Sequence, residues 1–273
     1  MSDACPLYRV EDGEMDEVRV HPLGAGEVAF FSCRSPGRAG PNEDGLAVFG
    51  FEDAFVLAVA DGMGGERAGA EAAHRAIEAL GLALQEGEAE GGMLRTAILN
   101  GFERANQAVL EIGVGAGTTL AVVEVDGDRL RPYHVGDSMI LQFGQRGRLK
   151  LQSVAHSPVG FALEAGVIDE GEAMHHEERH IVSNVLGADD MRIEMGSTRK
   201  LAARDTLLIA SDGLADNLHT EEIVSLVCAG DLEGSAARLA ELARTRMQVP
   251  ADQDPSKPDD LSFIAFRPRR RRG

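Results

Sequence analysis

Ala54-Phe55-Val56-Leu57-Ala58-Val59-Ala60-Asp61-Gly62-Met63-Gly64-Gly65 is the stretch from which the rest of this chain is read. An apolar run of this length, bounded by glycine, reads as a buried strand. Asp61 then stands where the strand leaves the core, held by rigid backbone and facing a cleft. Gly62 lets the backbone turn and brings a carbonyl close to whatever the carboxylate binds. The same arrangement returns at Thr206-Leu207-Leu208-Ile209-Ala210-Ser211-Asp212-Gly213. Two such ends meeting in space, joined by a third carboxylate, would form an all-oxygen site for hard divalent cations. The Asp-Gly pairs at Asp12 and Asp126 read as ordinary turns.

Outward from the first run, Val28 to Cys33 and Leu46 to Phe49 read as further strands. Two helices should follow. Ala70, Ala73, Ile77, Leu80 and Leu84 recur at helical spacing, as do Leu94, Ile98, Phe102, Ala105 and Val109, with Gly91-Gly92 as the break. Thr118 to Val125 and Arg129 to Val135 flank Asp126-Gly127-Asp128, a hairpin signal, and Met139 to Phe143 and Leu149 to Leu151 continue the meander. From about residue 155 to 204 the pattern loosens, as in functional or mobile loops. After the strand into Asp212 come two helices, a Pro-containing stretch and a last strand, Leu261 to Phe266. Strands, two helices, strands, two helices, strand: that order is α+β rather than alternating βαβ. Residues 1 to 26, polar and Gly-rich, are expected to be a loose lead-in to a domain over 27–266, with a basic tail at 267–273.

The chain has 273 residues, 45 acidic against 27 basic, for a net charge of −18. Nucleic acid is an unfavourable partner for such a surface, whereas concentrated carboxylates suit cations. Cys5, Cys33 and Cys228 have no metal-like spacing, and none begins a Cys-x5-Arg phosphate loop, so free thiols in a reducing compartment are expected. With no signal-like leader and no apolar stretch of the ~20 residues that span a bilayer, cytoplasm is the default and a membrane partner is not expected.

Seven short motifs occur in order: Arg38 with Asn42-Glu43-Asp44; Asp61-Gly62-Met63-Gly64-Gly65 with Gly69 and Ala72-Ala73; Gly117-Thr118-Thr119; His134-Val135-Gly136-Asp137-Ser138; His156-Ser157; Ser211-Asp212-Gly213-Leu214; and Asp259-Asp260-Leu261-Ser262. In this the chain resembles the metal-dependent Ser/Thr protein phosphatases, the PPM or PP2C-like family, in their bacterial form. The resemblance runs from about Arg38 to Phe266. It implies a four-layer αββα sandwich, two β-sheets packed face to face with helices outside and metals in a cleft at one end.

It also implies chemistry. Phosphate monoesters hydrolyse very slowly, so catalysis must supply a nucleophile and neutralise charge on the phosphoryl group. Two Mn²⁺ or Mg²⁺ ions do both in this family, through a bridging hydroxide. By resemblance, Asp61 bridges the ions, the Gly62 carbonyl ligates one, and Asp212 and Asp259 ligate the other. Asp259 matches the family's Asp better than Asp260 does. Glu43 and Asp44 match an acidic pair that orients metal-bound waters, and Asp137 matches the residue that joins Asp212 at a weaker third site. Arg38 is the candidate to hold the substrate phosphate, with Arg34 as competitor because the spacing from Arg38 to Asn42 is one residue longer than the family's.

Two departures stand out. Met63 lies where some members carry a His proposed as general acid, and Met139 lies where the family usually has Arg. The loose stretch of about 157–202 corresponds to a flap that would choose the phosphoprotein. The implied partners are proteins phosphorylated on Ser or Thr, in opposition to a bacterial Ser/Thr kinase, with the enzyme a monomer. A phosphatase-like binding protein without activity and a hydrolase of small phosphorylated metabolites are the rival readings. Mn²⁺-dependent turnover separates the first from an enzyme, and phosphopeptide against metabolite turnover separates the second.

Overall fold

The computed structural model describes residues 6–113, 115–249 and 254–269. In chain order the strands are β1 (Pro6–Glu11), β2 (Arg19–Leu23), β3 (Gly26–Cys33), β4 (Asp44–Gly50), β5 (Ala54–Met63), β6 (Gly117–Thr118), β7 (Leu120–Asp126), β8 (Arg129–Val135), β9 (Met139–Gly144), β10 (Leu149–Gln152), β11 (Glu194–Met195), β12 (Arg199–Lys200), β13 (Asp205–Ala210) and β14 (Leu261–Pro268). The helices are α1 (Glu66–Ala89), α2 (Leu94–Leu110), α3 (Pro158–Glu164), α4 (Glu170–Met174), α5 (Asp212–Ala215), α6 (Thr220–Val227) and α7 (Leu232–Gln248).

One sheet runs β1-β4-β5-β7-β8-β11, with β6 also on β5 and β12 also on β8; the other runs β10-β9-β13-β14-β3-β2. The side-chain period of β5 explains why they stack. Phe55, Leu57 and Val59 point to one face and join Phe31, Leu207, Ile209 and Phe263 of the other sheet. Val56, Ala58 and Ala60 point to the opposite face and join Ala73, Ile77 and Leu80 of α1 and Ile98 and Phe102 of α2. A strand covered on both faces carries no polar alternation, so its sequence reads as one continuous apolar run. Alanines on the helix side let α1 lie close. On the far side, Ile223 and Val227 of α6 and Leu239 and Ala243 of α7 cover the second sheet. The expected α+β sandwich with outer helices is what the chain adopts.

The lead-in differs from expectation. Residues 6–11 and 19–23 are not loose: β1 pairs with β4 and β2 with β3, each at a sheet edge. Tyr8 of β1 stacks on His21 of β2 with ring centroids 4.2 Å apart, which ties the edges of the two sheets together. Such edge strands are short and half-exposed, so their polar residues hide the pattern. At the other end, Arg267 and Pro268 belong to β14 rather than to a tail. Arg267 donates to the Gly230 carbonyl at 2.7 Å and the Val227 carbonyl at 2.5 Å. Residues 270–273 of the basic run and Cys5 lie outside the described residues.

Residues 157–202 hold α3, α4 and two short strands, and they are tied to the body. Leu186 pairs with Thr118, the Gly187 N–H donates to Asn106 Oδ1 at 2.7 Å, and Glu170 accepts from the Thr220 N–H at 2.8 Å. Cys33 and Cys228 are free, and burial pushes the Cys33 thiol up to about 12. Among the described residues, no helix is long and apolar enough to cross a membrane.

Candidate metal centre

Antiparallel register brings the first two carboxylates together, for β4 and β5 pair Asp44 with Asp61. The Gly117-Thr118-Thr119 motif then holds the Asp61 backbone from the other side. The Asp61 N–H donates to Thr119 Oγ1 at 3.0 Å, and its carbonyl accepts from the Thr119 N–H at 2.8 Å and the Thr118 hydroxyl at 2.9 Å. Thr119 is bonded in turn to Ser138 Oγ at 2.6 Å. Gly62 allows a crossing that no other residue permits. A Cβ there would lie 2.1 Å from the Gly69 carbonyl oxygen and 2.7 Å from that of Glu43.

The second wall starts where β13 ends. Ser211 is fully buried and donates its hydroxyl to Asp44 Oδ2 at 2.8 Å. Asp212 follows as the first residue of α5, and its N–H reaches Asp61 Oδ2 at 3.4 Å. A Cβ on Gly213 would lie 1.9 Å from the Asp260 carbonyl oxygen, so this crossing is as tight as the one at Gly62. Asp260 turns inward and braces the loops. Its carboxylate accepts from the Ser35 N–H at 2.7 Å and the Glu43 N–H at 2.6 Å. Asp259 instead lies on the side of Asp61 and Asp212.

A cation completes this wall. Lys257 Nζ lies 2.8 Å from Asp212 Oδ2, 2.6 Å from Asp216 Oδ2 and 3.1 Å from Asp259 Oδ2. Neither Lys257 nor Asp216 stands out in the sequence. One is a lone basic residue in a polar stretch and the other a helix-end acid, and only the fold brings them together.

Electrostatics unite the group. Burial, then Asp212, Asp44, Asp259 and Asp137, all push Asp61 well above the usual carboxylate range. Burial and Asp212 raise Asp137 to about 7, and the same two causes raise Asp259 to about 6. Asp44 is raised by burial and by Asp260. Carboxylates that resist ionisation because they crowd one another are relieved by a divalent cation, which takes the place of the protons. The donors are all oxygens, as Mn²⁺ and Mg²⁺ prefer. Asp61, Asp212 and Asp259 do not, however, each bring an oxygen within 4.8 Å of the others. The Lys257 ammonium stands between two of them, and an ion shared by all three needs the side chains to draw in.

Among the described residues, His134, His156 and Glu194 are the trio that meets that spacing. Their hydrogen bonds argue against ligation. His156 Nδ1 accepts from the Gly136 N–H at 3.1 Å and the Asn184 amide at 2.8 Å, so its proton sits on Nε2 and goes to Glu194 at 3.2 Å. His134 Nε2 donates to the Val154 carbonyl at 2.9 Å, and burial keeps this ring neutral. The trio fastens β11 to the Gly136-Asp137 turn.

Arg38 pairs with the Glu43 carboxylate and lies 3.8 Å from Asp260 Oδ2, at the edge of the cluster. Arg34 turns away to Glu14 at 2.8 Å and the Gly40 carbonyl at 3.1 Å. Arg38 thus lies at the cluster and Arg34 does not. Glu43 and Asp44 point different ways: Glu43 pairs with Arg38, while Asp44 accepts from the Ser211 hydroxyl. A cleft of about 470 Å³ opens beside Asp137, Asp212 and Asp216 and is bounded by Met139, Met174 and Arg179. A second cavity, about 550 Å³, lies between α7 and residues 16–18 and holds none of these carboxylates.

The family model for protein phosphatase 2C matches residues 37–253. The serine/threonine protein phosphatase PstP of Mycobacterium tuberculosis is 32% identical over 211 residues, covering 74% of this chain and 39% of that protein. The chain thus spans about two fifths of that relative's length. The S. agalactiae serine/threonine phosphatase superposes with a TM-score of 0.75 at 27% identity, over 89% of this chain and 99% of that one. The catalytic domain of PstP in complex with two manganese ions superposes with a TM-score of 0.67 at 30% identity, over 88% and 96%. Sequence motifs, sandwich and acidic cluster lead to one placement: the chain belongs to the protein phosphatase 2C family.

Proposed function

We propose that the chain is a metal-dependent phosphoprotein phosphatase that removes phosphate from serine and threonine. The observation that carries this is the gathering of Asp61, Asp212 and Asp259, from three distant segments, into one mutually repelling group beside an open cleft. Asp61 and the Gly62 carbonyl would hold one Mn²⁺ or Mg²⁺, with Asp61, Asp212 and Asp259 on a second. When bound, such ions lower the pKa of a shared water and neutralise charge on the phosphoryl oxygens. The remaining work falls to the chain. Arg38 would leave Glu43 to meet two phosphate oxygens bidentately. Asp44, held by Ser211, would accept a hydrogen bond from water at the floor of the site. Met63 cannot donate a proton, so protonation of the leaving alkoxide does not come from that position.

We take the catalytic unit to be residues 27–266 together with the edge strands β1 and β2 and the end of β14 that complete its sheets, with residues 157–202 selecting the phosphoprotein, in a cytoplasmic monomer that opposes a Ser/Thr kinase. The support is the 37–253 family match, the cleft between these residues and Asp212, and relatives named as bacterial Ser/Thr phosphatases. The test is hydrolysis of p-nitrophenyl phosphate and of a phosphothreonine peptide with and without Mn²⁺, alongside Asp212→Asn. Turnover should require metal and fall by about 10³-fold or more in the variant, with its circular dichroism unchanged. Metal-independent turnover, or a variant as active as the parent, overturns the reading. Faster turnover of phosphorylated metabolites than of peptide would move the substrate class.

A further inference from the structure

The cleft beside Asp137, Asp212 and Asp216 changes character away from those carboxylates. Met139, Val154, Val159, Leu163 and Met174 line it there. None of these five offers an oxygen to a hard cation or a charge to a phosphate. Val159 and Leu163 are four residues apart on α3 and therefore share one face of it. Met139 joins this apolar lining to the acidic centre. It stands two residues after Asp137, and β9 pairs it with Ala210, two residues before Asp212.

Hydrogen bonds within the chain hold the walls. The His156 N–H donates to the Gly136 carbonyl at 3.1 Å, which fixes the approach to α3 beside Asp137. Ser157 then caps α3 by accepting from the Gly160 N–H at 2.9 Å. On α4, Asp169 and Glu172 form a capping box, and Glu170 accepts from the Thr220 N–H at 2.8 Å, which ties α4 to the start of α6. A cleft of about 470 Å³ between such walls is a preformed pocket with room for more than one side chain.

Charge limits what enters. Glu164, Glu170 and Glu221 line the cleft together with the aspartates, and the basic residue among them, Arg179, is bound to the Met174 carbonyl. An acidic side chain would meet repulsion there, whereas an apolar one would remove carbon from water. The occupant is the substrate's own chain, because Asp137 and Asp212 belong both to the cleft and to the acidic centre. Residues on one side of a phosphoresidue held at that centre run into the cleft.

We propose that this cleft seats a large apolar side chain (leucine, methionine or phenylalanine) next to the phosphorylated residue, so that Met139 and Leu163 select phosphoproteins by that neighbour. The inference deepens the phosphatase reading above and rests on it.

The test compares kcat/KM, with Mn²⁺ present, for phosphothreonine peptides that carry Leu, Ser, Asp or Lys directly before or directly after the phosphothreonine. On one of the two sides the parent should turn over the Leu peptide about tenfold better than the Ser peptide, with Asp slowest. In Leu163→Ser and in Met139→Ser, each checked by circular dichroism, that ratio should fall below about threefold, through a higher KM for the Leu peptide. The two variants come from opposite walls, so either decides if the other does not fold. A parent indifferent to the neighbour, a parent that prefers Asp or Lys to Leu, or a folded variant that keeps the parental ratio overturns the proposal. A parent with no Mn²⁺-dependent turnover of any peptide or of p-nitrophenyl phosphate overturns instead the phosphatase reading on which it stands.

Discussion

Asp61 and Asp212 share a local sequence pattern, a strand followed by Asp-Gly, but the fold gives them opposite surroundings. Around Asp61 every charged neighbour that moves its carboxyl is another aspartate: Asp212, Asp44, Asp259 and Asp137. Asp212 has Lys257 at 2.8 Å. Backbone constraint is the same on both sides, since each following glycine lies against a carbonyl that a Cβ would strike. The difference teaches that position and charge balance are set separately. Glycine crossings fix where the carboxylates sit, and distant residues decide which of them stand uncompensated.

The comparison can be broken in several ways. The largest effect expected is on activity, where both walls should count alike. Asp61→Asn and Asp212→Asn should each lower Mn²⁺-dependent kcat by about 10³-fold or more, measured at saturating metal. A variant of one wall that keeps near-parental turnover would mean that wall is not part of the centre.

Next comes packing. Gly62→Ala and Gly213→Ala force a methyl to within 2.1 Å and 1.9 Å of a backbone oxygen. Each should cost about 3 kcal/mol or more in denaturant unfolding, because backbone on both sides must shift. A cost below about 1 kcal/mol at either site would show that the crossing relaxes.

Charge balance separates the walls, with a smaller effect. In metal-free protein near neutral pH, Asp61→Asn should raise stability by about 1 kcal/mol, since it removes a carboxylate with only like-charged neighbours. Asp212→Asn should not, because it strips Lys257 of one of its three partners. Equal shifts in the two variants, read by thermal or urea unfolding under chelator, would erase the distinction.

The mildest test uses pH. Folding raises Asp137 to about 7 and Asp259 to about 6, from an ordinary 3.8. The folded chain therefore binds more protons than the unfolded one. The stabilising share of these groups is complete below about pH 4 and is lost as pH rises through 6 and 7. Metal-free protein should thus lose stability between about pH 5 and about pH 8, and Mn²⁺ should restore it most at the upper end. A flat profile in chelator would mean that the carboxylates are not crowded in solution.

Much of the site was legible because each element carries a local signal. The runs ending at Asp61 and Asp212 are buried strands, and their glycines mark close backbone crossings. Register between β4 and β5 then places Asp44 opposite Asp61, a pairing that only the fold shows. The edge strands β1 and β2 were hidden because one side of each faces water and their polar residues mimic a loop. Lys257 was hidden for another reason. A lysine's charge says nothing about its partners, and those partners lie 45, 41 and 2 residues away at Asp212, Asp216 and Asp259.

By itself, the sequence determined the alternation of core and turn, the family to which the chain belongs, and which carboxylates stand at strand ends. Hydrophobic periodicity and glycine are local properties, readable one segment at a time. Only the tertiary structure decided that Asp259 rather than Asp260 faces the cluster, that Arg38 rather than Arg34 reaches its edge, and that an ammonium sits among the aspartates. Those outcomes depend on side-chain direction and on long-range electrostatics, which exist only once distant segments share one volume.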